Sequence, residues 1–234
     1  MKIVGIQKLT LLDYPGKVAC TVFLDGCNFR CPYCHNSQLL VGAEPIMTED
    51  GLLAFLRKRS GILEGVCVTG GEPTIHPQLP DLLRRIRDLG YCVKLDTNGY
   101  RPEVLSAVLS EGLADYVAMD IKNGPGIYGE TVGLAGPDTA KIRQSIHLLM
   151  TSGIEYELRT TVVKPLHSAE TIADMASWLL DIGEGRKVKQ IFLQPFVDRD
   201  TVPMSGLSAP TAEELELFSA ILASCAEFVG VRGT

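Results

Sequence analysis

Strand-like and helical patterns alternate along the whole of this 234-residue chain. Runs rich in apolar and β-branched residues predict strands at 18–24, 65–70, 91–96, 116–122, 156–163 and 190–196, with a seventh at 227–232. Apolar residues at helical spacing predict helices at 48–59, 79–90, 101–112, 137–153, 168–183 and 210–225. Repeated βα units form parallel strands joined by right-handed crossovers. Six clear units are too few for a complete eight-stranded barrel, so the sequence predicts an α/β fold, an open, TIM-like partial (β/α)6 barrel.

Composition and charge narrow the possible functions. No linker or low-complexity stretch divides the chain, which predicts a single domain over residues 1–234. The net charge of −6 provides no basic surface, which argues against a nucleic-acid partner. No apolar run approaches the ~20 residues of a membrane span, and the N-terminus does not resemble a signal peptide. We therefore expect a cytoplasmic protein that does not bind membranes.

Polar clusters follow four of the predicted strands at the point where each strand ends. They are the cysteine-rich stretch 27–35, the GGEP turn at 70–73, the DTNG turn at 96–99 and the D-I-K stretch at 120–122. In folds with parallel strands, functional groups gather at the carboxyl ends of the strands. The sequence therefore predicts one functional site built from these four clusters.

Three of the seven cysteines stand apart from the others. Apolar surroundings predict ordinary buried thiols for the remaining four, Cys20, Cys67, Cys92 and Cys225. Cys27, Cys31 and Cys34 instead lie within eight positions and are followed directly by His35. Three thiolates on a [4Fe–4S] cluster leave one iron open to another ligand. A structural zinc site with His35 as the fourth ligand remains the alternative.

The spacing C-x3-C-x2-C, with Tyr33 before the last cysteine, resembles the signature of the radical S-adenosylmethionine (SAM) superfamily. The longer stretch LDYPGKVACTVFLDGCNFRCPYCHN resembles the activating enzymes of glycyl radical proteins, above all the anaerobic ribonucleotide reductase activators and next the pyruvate formate-lyase activators. This resemblance implies a radical SAM domain with one [4Fe–4S] cluster on Cys27, Cys31 and Cys34. It also implies reductive cleavage of SAM to a 5′-deoxyadenosyl radical, which removes a hydrogen from a backbone glycine of a partner enzyme.

The resemblance also implies roles for residues outside the cysteines. Tyr33 would contact the adenine of SAM with His35 beside it, and Arg159 would lie near the SAM carboxylate or ribose. The methionyl amino end would be held by the GGEP turn, namely Gly70, Gly71, Glu72 and Pro73. Three further residues would place SAM and a monovalent cation, namely Asp96, Asp120 and Lys122. Lys122 would also be one of the catalytic residues. Strand periodicity independently places Asp120 and Lys122 on one face, where buried charges need partners.

One position departs from the family pattern, and two other functions stay open. Val197 occurs where the pyruvate formate-lyase activators have a histidine, so a SAM contact would be missing or come from elsewhere, such as Gln194. A radical SAM enzyme acting on a small molecule, similar to 7-carboxy-7-deazaguanine synthase, would share the same motifs. A metal-binding structural protein would leave most of them unexplained. Residues 35–64 contain no cysteine, which predicts a single cluster reduced directly by an external donor. The resemblance implies that this donor is flavodoxin or ferredoxin.

Overall fold

The computed structural model describes residues 1–40 and 42–233, which contain eight strands and seven α-helices. The strands are β1 (Ile3–Thr10), β2 (Ala19–Leu24), β3 (Gly65–Gly70), β4 (Cys92–Thr97), β5 (Tyr116–Asp120), β6 (Glu155–Val162), β7 (Val188–Pro195) and β8 (Ala226–Val231). The helices are α1 (Glu49–Lys58), α2 (Leu79–Asp88), α3 (Pro102–Ser110), α4 (Tyr128–Val132), α5 (Thr139–Ser152), α6 (Ala169–Ile182) and α7 (Ala212–Leu222). None of the helices in these residues has the length and apolarity needed to cross a bilayer.

The first of two compact units comprises Met1–Asn28, Asn36–Thr97 and Arg101–Ala118. In it β2, β3 and β4 run parallel, and most of their residues are buried, as expected for a parallel sheet covered on both faces. Just before β5, the backbone N–H of Asp115 donates to the carbonyl of Val93 in β4. β1 pairs antiparallel with β2 at the other side.

The second unit comprises Phe29–His35, Asn98–Tyr100 and the chain from Met119 on. Its strands β6, β7 and β8 run parallel to one another. Directly after β5, the N–H of Ile121 donates to the carbonyl of Arg159 in β6. Parallel strands joined by helices therefore characterise each unit.

Local signals in the sequence explain where the helices begin. Thr48 caps α1 by accepting a hydrogen bond from the N–H of Gly51, and a proline occupies the first position of α3. Reciprocal capping boxes begin α6 at Ser168 and α7 at Thr211. All six predicted helices are confirmed, because each combines such a start with apolar residues at helical spacing.

The α/β class with parallel strands is confirmed, with three differences of detail. β1 was not predicted, since its sequence mixes polar and apolar residues and most of it is only partly buried or exposed. The five-residue helix α4 was not predicted either, because it is too short to show periodicity. The strand predicted at 116–122 ends at Asp120, so Lys122 lies just beyond it. The single domain predicted for residues 1–234 stays a prediction, and residue 234 lies outside the described residues.

Candidate active site

The GGEP turn packs directly against the residues that precede Cys27. Gly71 donates its N–H to the carbonyl of Leu24 at 3.0 Å, and Glu72 donates to that of Gly26 at 2.8 Å. Gly70 adopts φ +127°, and a Cβ on Gly71 would overlap the carbonyl of Gly26. Only glycine permits this approach, so the two glycines bring the turn against the start of the cysteine stretch.

Glu72 is buried and held in one orientation. Glu72 is only 1% exposed. Its Oε1 accepts hydrogen bonds from the N–H of Thr74 at 3.0 Å and from the hydroxyl of Thr97 at 2.7 Å. The hydroxyl of Thr74 donates to the same oxygen. A carboxylate fixed in this way can receive a ligand ammonium group without first being ordered. The two threonines were not predicted as part of the site, although Thr97 lies within the DTNG turn.

Asp96, at the end of β4, lies against a buried lysine of the same strand. Lys94 Nζ forms an ion pair with Asp96 Oδ1 and lies 3.7 Å from the sulfur of Cys67. The Cys67 thiol in turn lies 3.7 Å from Asp96 Oδ1. Lys94 was not predicted as part of the site, although the sequence has a signal for it: a charged residue inside an apolar strand, two positions before Asp96.

In the second unit, Asp120 lies between two cations. Arg159 Nε donates to Asp120 Oδ1 at 2.9 Å, and Lys122 Nζ donates to Asp120 Oδ2 at 3.1 Å. Burial alone would raise the pKa of Asp120, but the two cations outweigh it and lower the pKa to about 2. Burial opposes the charge on Lys122, whose pKa the Asp120 carboxylate nevertheless raises above its ordinary value. Asp120, Lys122 and Arg159 therefore form a charged cluster, and their roles towards SAM stay predictions.

Cys31 and Cys34 belong to this second unit and Cys27 to the first. The N–H of Cys34 donates to the carbonyl of Cys31 at 3.2 Å, which closes a turn. Burial raises the pKa of the Cys31 thiol to about 11, an effect that the nearby Lys122 ammonium opposes. The charged cluster therefore lies close enough to Cys31 to act on its ionisation.

Tyr33 and His35 flank Cys34 in very different surroundings. Tyr33 is buried, burial raises its pKa, and its hydroxyl has no hydrogen-bond partner among the described residues. The His35 ring stacks on the ring of Phe196, with 5.6 Å between the ring centroids. The Nε2 atom of His35 lies 2.6 Å from the carbonyl oxygen of Val197. Val197, which occurs where the pyruvate formate-lyase activators have a histidine, therefore contacts His35 through its backbone carbonyl. The adenine contacts predicted for Tyr33 and His35 stay predictions.

The residues present fit an iron–sulfur cluster and SAM by their chemistry. Among residues 1–40 and 42–233, no three His, Cys, Asp or Glu side chains converge where a single metal ion could bind. A [4Fe–4S] cluster does not need its thiolates to converge on one ion, because each thiolate binds its own iron. None of the described cysteines forms a disulfide, so their thiols are available as ligands. SAM carries an ammonium and a carboxylate. The buried Glu72 carboxylate of the first unit has the charge to receive an ammonium group. Lys122 and Arg159 of the second unit have the charge to receive a carboxylate.

Comparison with known proteins defines the family. The profile of the family described as "Radical SAM superfamily" matches residues 21–179. The chain therefore belongs to the radical SAM superfamily, whose members use a [4Fe–4S] cluster together with SAM.

Two curated relatives are similar over most of their length. The chain is 34% identical over 220 residues to a protein of Methanocaldococcus jannaschii whose name provisionally assigns it as a glycyl-radical enzyme activating enzyme, covering 91% of this chain and 87% of that one. It is 28% identical over 204 residues to the pyruvate formate-lyase-activating enzyme of Clostridium pasteurianum, covering 83% and 82%. Among solved structures, anSMEcpe with bound AdoMet superposes with a TM-score of 0.60 at 17% identity. That match covers 86% of this chain and 57% of the other, and it supports the fold alone.

Proposed function

We propose that this protein is an activating enzyme of a glycyl radical enzyme. It cleaves SAM reductively and removes one hydrogen atom from a backbone glycine of its partner protein. The observation that carries this proposal is the similarity to the M. jannaschii relative, which extends over nearly the whole of both chains rather than over the cysteine motif alone.

For each of the two charged groups of the methionyl end of SAM, we propose residues of opposite charge. Glu72 binds the ammonium group through an oxygen, while Gly70 and Gly71 let the backbone approach. Lys122 and Arg159 bind the carboxylate or ribose, and Asp120 keeps both cations in position. Cys27, Cys31 and Cys34 hold the [4Fe–4S] cluster, which supplies the electron that breaks the sulfonium bond.

The proposed partner is anaerobic ribonucleotide reductase, and the proposed electron donor is flavodoxin or ferredoxin. A glycine suits the reaction because its α-carbon radical is stabilised by the two flanking amide groups. It also needs no side-chain pocket. The departure at Val197 supports a partner other than pyruvate formate-lyase.

Isotope transfer from the partner tests this function. The reconstituted protein, SAM and a chemical reductant are mixed without oxygen with anaerobic ribonucleotide reductase labelled with α-deuterated glycine. We expect a glycyl radical in the electron paramagnetic resonance spectrum and deuterium in the 5′-deoxyadenosine product. The matched control is a partner whose radical-bearing glycine is replaced by alanine.

SAM cleavage that leaves the product without deuterium in both mixtures would contradict the proposal. That result would favour the second candidate, a radical SAM enzyme that modifies a small molecule.

A further inference from the structure

Lys94 is a charged residue in the middle of a buried strand. It is 1% exposed, and the strand register places it opposite Cys67 of β3. A lysine is rarely buried this completely unless an opposite charge lies beside it, because its ammonium group loses its hydration. Here Asp96 provides that charge, two residues further along the same face of the strand.

The three groups contact one another and form a compact cluster, which we call the Lys94 cluster: Lys94, Asp96 and Cys67. Lys94 Nζ contacts both the carboxylate and the sulfur, and the Cys67 thiol also lies within 3.7 Å of the same carboxylate oxygen. Neither Lys94 nor Cys67 has a role in the site proposed above. Asp96 does, since it is one of the residues implied to hold a monovalent cation with SAM.

A monovalent cation does not fit at Asp96. The ammonium of Lys94 already lies against Asp96 Oδ1 with its side chain 2% exposed, so it is not easily displaced into water. Adding sodium or potassium to this carboxylate would place two positive charges within a few ångströms of each other in a region with little water, where their repulsion is weakly screened.

We propose that the ammonium group of Lys94 takes the place of the monovalent cation, so that this protein binds SAM without needing sodium or potassium. Lys94 acts as a positioning residue: it neutralises Asp96 and fixes its carboxylate at the end of β4. This inference rests on the proposed function for the role of SAM. The state of Asp96 itself can be tested without SAM.

The test compares potassium chloride with choline chloride at equal ionic strength, because choline is too large to replace a bound cation. In full-length protein with its cluster reconstituted, we expect the SAM dissociation constant of the wild type to agree within about twofold between the two salts. Lys94→Met, which removes the charge but keeps the chain length, should bind SAM at least roughly tenfold more weakly in choline. Potassium should restore most of that loss. A wild-type affinity that falls about tenfold in choline would overturn the proposal.

A second measurement uses thermal unfolding of the cluster-free protein and needs neither SAM nor activity. The wild-type melting temperature should be the same in both salts, whereas that of Lys94→Met should rise in potassium. The double variant Lys94→Met, Asp96→Asn lacks both charges and should not respond. If Lys94→Met does not fold, the wild-type comparison still decides. A Lys94→Met protein that responds to potassium in neither measurement would show that Lys94 only fills space.

These outcomes are separate from those of the proposed function. A protein that transfers no deuterium from glycine but shows the predicted salt responses contradicts the proposed function and supports the role of Lys94.

Discussion

Replacing Asp120 by asparagine should destabilise the cluster-free protein by about 2 kcal/mol at neutral pH. The carboxylate receives charged hydrogen bonds from Arg159 at 2.9 Å and Lys122 at 3.1 Å, and its side chain is 31% exposed. These contacts lower its pKa from 3.8 to about 2. At about 1.4 kcal/mol per pKa unit, this difference corresponds to about 2.5 kcal/mol, and screening by water at the partly exposed side chain reduces it to the stated loss. Asparagine would also leave the two cations facing each other with no negative charge between them.

Thermal unfolding in the presence of a chelator measures the loss. For a chain of this length, 1 kcal/mol corresponds to ~2–4 °C, so we expect the Tm of Asp120→Asn to fall by roughly 4–8 °C. Asp181→Asn is the matched control, because Asp181 pairs with Arg143 where both side chains are exposed. Exposed pairs contribute little, so the control should change by less than about 2 °C.

The pH dependence provides a second check. The pKa of Asp120 is lowered in the folded state, so its contribution is fully present above the unfolded value and is lost as the pH falls towards 2. The difference in Tm between wild type and Asp120→Asn should therefore shrink below about pH 4. Equal effects of Asp120→Asn and Asp181→Asn would refute this reasoning. So would a stabilised Asp120→Asn, since the cost of burying the charges would then exceed their attraction.

Three further predictions concern the cluster, the GGEP turn and Arg232, which follows β8. Iron analysis of the wild type should find about four irons per chain. In 5′-deoxyadenosine assays, alanine at any of the three cluster cysteines should abolish SAM cleavage, whereas Cys92→Ala should leave it intact. Gly71→Ala should cost ~1–3 kcal/mol in thermal unfolding, because its Cβ would overlap the Gly26 carbonyl. Arg232→Ala should cost about 2 kcal/mol in the same assay, the usual size of a hydrogen bond to a charged group. Arg232 is partly exposed and donates two 2.8 Å hydrogen bonds to the buried Glu157 carboxylate. An unchanged Tm would contradict this prediction.

The sequence by itself determined the α/β class, the cysteine stretch and, apart from the short helix α4, the order of the elements from β2 to β8. These features are local. A strand of alternating or continuous apolar residues, a capped amphipathic helix and a cysteine spacing can each be recognised within about 8–15 residues. The pairing of Asp120 with Lys122 was predictable for the same reason, since residues two apart on extended backbone share a face.

Tertiary structure alone decided the contacts between distant parts of the chain. β1 becomes a strand by pairing with β2, since its own residues show no clear alternation. The sequence marks Lys94 as a charge inside an apolar strand, but only the register shows that Cys67 lies opposite it. Arg232 reaches Glu157 across 75 positions of sequence, and no local pattern marks either as a partner. A charge in a sequence shows only that a partner or water is needed, and the fold determines which of them the charge receives.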